Sequence, residues 1–235
     1  MAIKVSVVGA TGRMGKLALE LIEAAADLEL HSALDSKSDA SQSNGADVIF
    51  EVTRLDVSQQ VVAKAIAAGQ KIVVGTSGWS AAKLAELKDL GQAAVVVIPN
   101  FSVGSMLATR FAAEAGKFFD SIEIVETHHA GKLDSPSGTA VRTAELIAAN
   151  RTTPVTAPAA DQDARGQLVA GIPVHSLRLA GVSAKQDVHF GGVSELLTIS
   201  HETSSVSAYS AGILAAIRFA AKAQGLHVGL DAVFE

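Results

Sequence analysis

Over its first hundred residues the chain alternates two hydrophobic periods. Short apolar runs, several rich in β-branched residues, are separated by longer segments whose apolar positions recur every three to four residues. The first kind predicts strands and the second amphipathic helices. Predicted strands are Ile3–Val8, Leu28–Leu34 ending at Asp35, Val48–Val52, Lys71–Val74 and Ala94–Ile98. Predicted helices run through Leu17, Leu21 and Ile22, over Val57–Ala68 and over Ser80–Leu90, while the polar stretch Ser36–Asn44 predicts a loop. Strands alternating with helices predict a parallel, doubly wound α/β sheet. Near Ser102 the pattern changes. A helix over Met106–Ala115, a strand over Ser121–Thr127, a helix ending at Ala149 and a loose Pro- and Ala-containing stretch, Thr152–Ala164, lead to three strand-like runs, Ile172–Leu179, Gln186–Phe190 and Glu195–His201. Strands in succession without intervening helices predict a second, α+β domain with a mixed or antiparallel sheet. A last helix, Val206–Ala223, leads to a short apolar tail expected to return to the first domain. The expected division is therefore 1–102 with 206–235, and 103–205. No internal repeat is present.

Composition narrows the class. With 235 residues and 49% hydrophobic content the chain can bury packed cores without external staples. It has no cysteine, which excludes disulfides, thiolate metal ligands and a cysteine nucleophile; no metal site is expected. A net charge of −5 with 19 basic residues argues against a nucleic-acid surface and for a small-molecule ligand. The start, MAIKVSVVGATGRMG, reaches glycine after a short apolar run and lacks the core of a signal peptide or a membrane span. A cytoplasmic enzyme without a membrane partner is the expectation.

The segment HHAGKLDSPSGTA, His128–Ala140, is too polar for core. The strand before it would deliver His128 and His129 at its C-terminal end. Ser135 and Pro136 read as an N-cap and first-turn pair, so the next helix is expected to begin near Pro136. Its first N–H groups, around Ser137, Gly138 and Thr139, would favour a bound carboxylate or phosphate, and Gly138 would let it approach the main chain. Histidine titrates near ~6.5 and lysine near ~10.4, so His128, His129 and Lys132 together suit a dianion and the delivery of a proton. A single histidine at a strand end is as often a hydrogen-bonded structural residue. Two histidines, a lysine and a helix start together outweigh that reading.

Gly9, Gly12 and Gly15 stand in GATGRMG between a predicted strand and helix, a variant of the Rossmann dinucleotide fingerprint. Alone this is weak, because ordinary turns use glycine too. Asp35 strengthens it, since an acid closing the second strand suits the adenosine ribose hydroxyls; the competing reading is an exposed turn aspartate. Arg13 and Lys37 lie near enough in sequence to neutralise a 2′-phosphate, which leaves NADH and NADPH both open. Two loops, Gly75–Trp79 (GTSGW) and Ile98–Ser102 (IPNFS), follow strand ends and are expected to border the nicotinamide. Trp79 is read as a packing residue.

Five stretches, GATGRMG, VVGTSG, PNFSVG, EIVETHHAGKLDSPSGTA and GIPVHSLRLAG, in this order and spacing, resemble the 4-hydroxy-tetrahydrodipicolinate reductase family, also called dihydrodipicolinate reductases. The resemblance covers essentially the whole chain; its histidine and lysine segment is highly specific and its glycine turn is not. It implies NAD(P)H-dependent reduction, with loss of water, of the cyclic product of pyruvate and aspartate semialdehyde, in lysine and diaminopimelate synthesis. It implies that His128 is the catalytic donor or acceptor, Lys132 the proton donor and His129 a substrate ligand, with Gly138 and Thr139 holding a substrate carboxylate. Gly9, Ala10, Thr11, Gly12, Arg13, Met14, Asp35, Gly75, Thr76, Ser77, Ile98, Pro99, Asn100 and Phe101 would line NADH or NADPH. A homotetramer built on the second domain's sheet is also implied. Hydride would reach C4 of the ring and a proton C3, the latter from His128 and Lys132 directly or through water, with domain closure hinged near Ser102 and Val206.

The chain departs from the family pattern in four places. Glu51, Val52 and Thr53 stand where Asp-Phe-Thr is usual, and Ser77 replaces the second threonine of a Gly-Thr-Thr loop. Gly131 replaces a residue that is usually basic, which predicts weaker carboxylate steering. The loop after Asp35 is shorter than in many members, which leaves cofactor preference open. Two rivals remain at this level: another Rossmann reductase, acting on a semialdehyde or an imine, and a nucleotide sensor without catalysis. The joint presence of His128, His129 and Lys132 argues against the sensor.

Overall fold

The computed structural model describes residues 1–87 and 89–234. They form two compact units, Met1–Val103 together with the chain from Val206 onward, and Gly104–Ser205.

In the first unit β1 (Ile3–Val8), β2 (Leu28–Leu34), β3 (Val48–Glu51), β4 (Lys71–Val74), β5 (Ala94–Val97) and β11 (Gly225–Val228) make a six-stranded sheet of order β11-β5-β4-β3-β1-β2. Every pairing is parallel. All four residues of β3 and of β5 are buried, as expected of strands covered on both faces. Ile49, Ile72, Val74, Val95 and Val97 pack against Val62 and Ala65 of α2 (Leu55–Ala67). Residues of the other phase, Phe50, Val73 and Val96, point to the opposite face, where α1 (Arg13–Ala24) and α6 (Ser210–Ala220) contact each other and the sheet. The Lys71 ammonium caps the Ala221 carbonyl at the end of α6. Strand order reverses at β1, between β2 and β3, which makes the carboxyl ends of β1 and β3 the switch point where such sheets bind ligands.

The second unit carries the sheet β10-β9-β6-β8-β7, built from β6 (Ser121–His129), β7 (Gln167–Val169), β8 (Ile172–Leu179), β9 (Ala184–Gly192) and β10 (Glu195–Thr203). It is mixed: β6 and β8 are parallel and the other pairs antiparallel. One face packs on α4 (Val103–Ala115) and α5 (Gly138–Ala149) through Ile122, Ile124, Val174, Val188 and Phe190 against Ala112, Ala140, Ala144 and Ile147. The nearly buried Arg151 guanidinium holds the start of this unit, donating to the Gly116 and Phe119 carbonyls and to Asp120 Oδ1 at 2.8 Å.

A unit with a doubly wound parallel sheet and a second, mixed-sheet α+β unit are thus the architecture expected from the hydrophobic pattern. The details differ where local signals were short. Strand β7, three residues on the sheet edge, lies beyond the Pro/Ala stretch and carries too short a pattern to read. The predicted Ser80–Leu90 helix is the five-residue α3 (Ala81–Ala85), capped by Ser80 through Lys83 N at 3.4 Å; its expected continuation includes residue 88, outside the described residues. The predicted terminal helix divides into a 3-10 turn (Val206–Tyr209) and α6, and its tail becomes β11 before α7 (Asp231–Phe234). Among the described residues no helix is long and apolar enough to cross a membrane.

Candidate active site

Successive residues of a strand face opposite sides, and in β6 this rule builds the site. On the helix-facing side Ile122 and Ile124 lie in the core, and two residues on, at the same phase, stand Glu126 and then His128. Register places Val188 and Val174 beside Ile124, Gln186 and Ser176 beside Glu126, and Ala184 and Arg178 beside His128. The face therefore turns from apolar to ionic within two residue pairs.

Glu126 is fully buried. Its Oε2 accepts from His128 Nδ1 at 2.5 Å and from Arg178 Nη1 at 2.9 Å; its Oε1 accepts from Arg178 Nη2 at 3.0 Å and from the Ser137 N–H at 3.2 Å. Burial alone would raise this carboxyl's pKa, but hydrogen bonds from Arg178, Ser176 and His128 more than offset it, and the pKa lies below the usual value. The His128 pKa is also lowered, first by burial and then by the charges of Lys132 and Arg178, against the opposing pull of Glu126. Lys132 Nζ donates to both oxygens of Asp134 at 2.7 Å, an ion pair that lowers the Asp134 pKa.

The helix start differs from expectation. The N-cap is Ser137, whose Oγ accepts the Ala140 N–H at 3.2 Å, so α5 begins at Gly138 rather than near Pro136. Ser135 and Pro136 instead lie in the loop, joined by a cis peptide bond. The Ser137 N–H is committed to Glu126, which removes it from the expected anion donors. The first helical positions are Gly138, exposed, and Thr139, and first-turn N–H groups point out of a helix along its axis. His129 also departs from the joint histidine cluster. It follows His128 in the strand, faces the other side and is exposed, with its Nδ1 3.4 Å from where a Cβ on Gly131 would stand. The structure thus joins His128 and Lys132 through Glu126 and Arg178, and ties His129 to the Lys132 loop by its carbonyl, which accepts the Lys132 N–H at 3.1 Å, and not by its ring. Glu126 and Arg178 were not singled out as site residues from sequence. The available signal was an acid in the core-facing phase of a strand whose neighbouring strand carries an arginine in the adjoining row.

In the first unit Gly9 has φ +94°, and a Cβ there would meet Val52 O at 2.6 Å. A Cβ on Gly15 would lie 2.2 Å from Gly9 O. Gly12 is the N-cap of α1, with no side-chain cap, and the first turn of α1 has no acidic residue. Thr11, Gly12 and Arg13 are exposed and Met14 partly so, whereas Ala10 is buried and gives its N–H to Leu34 O at 3.0 Å. This open, uncapped helix start without a nearby acid fits a dinucleotide pyrophosphate. Asp35 Oδ1 accepts from the Lys37 N–H and from Ser38 Oγ, both at 2.9 Å, which lowers its pKa. The loops after β4 and β5 hold one another. Phe101 is buried against Phe50, and a Cβ on Gly75 would strike the Phe101 ring at 2.7 Å. Ile98 is wholly buried, leaving Ser77, Gly78 and Pro99 exposed and Gly75, Trp79 and Asn100 partly so as the surface these loops present. Beneath them Glu51, wholly buried, accepts from the Thr53 N–H at 2.7 Å, the Thr53 hydroxyl, Thr76 Oγ1 at 2.9 Å and Ser58 Oγ at 2.5 Å. Trp79 packs on the α2 side of the core and gives its Nε1–H to Ser58 Oγ at 3.0 Å, a packing role as expected.

Comparison with known proteins agrees with this geometry. Residues 3–101 match the family model described as dihydrodipicolinate reductase, N-terminus, and residues 104–234 the model described as dihydrodipicolinate reductase, C-terminus. A 4-hydroxy-tetrahydrodipicolinate reductase of Clavibacter michiganensis subsp. michiganensis is 56% identical over 100% of this chain and 87% of that protein. One from Streptomyces griseus subsp. griseus is 40% identical, over 97% of this chain and 96% of that one. The dipicolinate-bound dihydrodipicolinate reductase from Paenisporosarcina sp. TG-14 superposes with a TM-score of 0.82 at 29% identity, over 98% of this chain and 99% of that one. Matched along both units, in fold and in sequence, the chain belongs to the dihydrodipicolinate reductase family.

Proposed function

We propose that this chain reduces 4-hydroxy-tetrahydrodipicolinate to tetrahydrodipicolinate with loss of water, in lysine and diaminopimelate synthesis, using NADH or NADPH. The observation that carries the proposal is the grouping of His128, Lys132 and the start of α5 around one buried carboxylate, Glu126. A reduced nicotinamide, when bound, supplies the hydride that C4 of the ring receives. The protein's own residues do the rest. Gly138 and Thr139 present the α5 start to one substrate carboxylate, and Lys132, released from Asp134, pairs with the anion. His128 and Lys132 deliver the proton to C3, directly or through water, and His129 contributes a further contact to the dicarboxylate. On the first unit, Gly9 to Met14 would hold the pyrophosphate, Asp35 the adenosine ribose, and the loops Gly75–Ser77 and Ile98–Phe101 the nicotinamide end.

The enzyme is read as cytoplasmic, without a nucleic-acid or membrane partner, because substrate and cofactor are both soluble anions. The homotetramer that the family resemblance implies is supported, as association and not as a count, by the second unit's sheet exposing Leu168, Leu177, Leu179 and Leu196 on the face opposite α4 and α5, apolar side chains of the kind that mark association surfaces. Sedimentation should give a tetramer that Leu177→Glu breaks into smaller species.

A coupled assay tests the activity. The substrate is generated in situ from pyruvate and aspartate semialdehyde by the condensing enzyme, and oxidation of NADH and of NADPH is followed separately. Oxidation that depends on the condensing enzyme is expected, and its ratio between the cofactors gives the preference. Oxidation of neither nicotinamide would refute the proposal.

A further inference from the structure

In the Gly104–Ser205 unit Glu126 is the only carboxylate that is fully buried among the described residues. Its hydrogen bonds come from separate parts of the fold: His128 on its own strand, Arg178 on β8, and the N–H of Ser137, the N-cap residue of α5. Arg178 is committed further, donating from Nη2 to Asp134 O at 2.7 Å and from Nε to Lys132 O at 3.3 Å. One buried anion therefore ties together the imidazole, the loop that carries Lys132 and the start of the helix read as the carboxylate site.

We propose that Glu126 is the positioning residue of this site: it fixes His128 in the form protonated at Nδ1, so that Nε2 faces the substrate, and through Arg178 it sets the loop presenting Lys132. An ionised carboxylate has no hydrogen to donate, so the hydrogen in the 2.5 Å contact belongs to the imidazole. A neutral ring carries only one N–H, and Nε2 is then the nitrogen that takes up a proton from Lys132 or water and passes it to C3. Glutamine in place of Glu126 keeps the volume and an acceptor for Ser137, but its amide N–H turned toward Nδ1 would favour the opposite ring form. Because a bidentate guanidinium–carboxylate pair is directional, the Lys132 loop shares the same anchor.

This inference rests on His128 and Lys132 being the proton-delivering pair, and the experiment separates the two claims. In protein labelled with 15N-histidine, long-range ring correlations are recorded at a pH where His128 is neutral. Hydrogen on Nδ1 is expected; hydrogen on Nε2 overturns the proposal whatever the activity. In Glu126→Gln the ring should switch to Nε2–H, and kcat should fall about 10²-fold, with binding of the reduced nicotinamide unchanged. Glu126→Asp should restore the ring form and part of kcat. Turnover undiminished in His128→Ala refutes the assignment of that residue as a proton donor. A loss in His128→Ala with both kcat and ring form unchanged in Glu126→Gln overturns the role of Glu126 alone. If Glu126→Gln fails to fold, as judged by loss of its circular dichroism, the wild-type ring form decides.

Discussion

Two glutamates, Glu51 and Glu126, are wholly buried, and their environments solve the same problem differently. Glu126 faces a guanidinium. Glu51 instead accepts from neutral donors, three hydroxyls and a backbone N–H, drawn from the turns after β3 and β4 and from α2. Truncating Glu51 leaves buried donors unpaired, at about 1–3 kcal/mol for each one that water cannot reach. Glu51→Ala should therefore destabilise far more than Glu51→Gln, which keeps an acceptor; urea midpoints of the two variants compare them. Lys132 differs from both because it lies in a loop and pairs with an exposed aspartate. Lys132→Ala should leave the urea midpoint nearly unchanged yet lower turnover by about 10²–10⁴-fold, the usual contribution of a positioned acid. His128→Ala should lower turnover over the same range. Wild-type turnover in both variants would remove the proposed proton donors.

The β1–α1 turn shows how one motif divides between folding and binding. Gly12 has φ −75° and ψ 169°, which any residue adopts, and a Cβ there would meet only Gly9 O at 3.3 Å. Gly15 has backbone atoms of Gly9 and Ala10 within 2.8 Å of its would-be Cβ. Gly15→Ala must then push helix from strand, costing about 1–3 kcal/mol or more. Gly12→Ala should stay within about 1 kcal/mol of wild type in stability, while obstructing an anion at the helix start and weakening nicotinamide binding about tenfold, ~1.4 kcal/mol. Thermal melts with and without reduced nicotinamide check the pair, and the reverse ranking would place the anion elsewhere. This turn, the two sheets and the HHxxK segment were legible in sequence because period, glycine spacing and residue chemistry agree there. The start of α5 was misplaced because Ser135-Pro136 and Ser137 offer competing caps, and only the tertiary bond from Ser137 N to Glu126 distinguishes them. Glu126 itself was passed over for a related reason. Its acid side chain falls at an apolar phase of β6, and nothing local announces that Arg178, 52 residues later, completes it.

Across the whole chain, 24 acidic and 19 basic residues with seven histidines give a net charge of −5 near neutrality that becomes positive in acid, and specific groups decide where stability is lost on the way. In the second unit Glu123, beside Arg165 and His175, has its pKa lowered, as do Glu126 and Asp134. Asp187 is lowered as well, hydrogen bonds from Lys185 and Ser200 more than offsetting its burial. Asp27, Asp35 and Asp39 of the first unit are lowered too, but Asp27 and Asp39 are exposed and Asp35 partly so, and solvent screens their contribution. A carboxylate whose folded pKa lies below its unfolded one contributes in full above the unfolded value, 4.5 for glutamate, and loses that contribution as pH falls through the folded pKa. His128 and His201 are lowered, each by burial first. The unfolded chain takes up their protons first, so stability declines as pH falls from 6.5 to the lower folded values and then levels. Both kinds of group lose stability in acid, in two steps. Urea unfolding followed by circular dichroism from neutral pH downward should show a first decline below about 6.5 and a second below about 4.5. Glu126→Gln carries no carboxylate at that position, so its deficit against wild type should narrow through the second step. A deficit constant across the whole range would mean that folding leaves the Glu126 pKa unchanged, and one that widens as pH falls would mean that Glu126 is already protonated in the folded chain, which is incompatible with an imidazole donating to it through Nδ1.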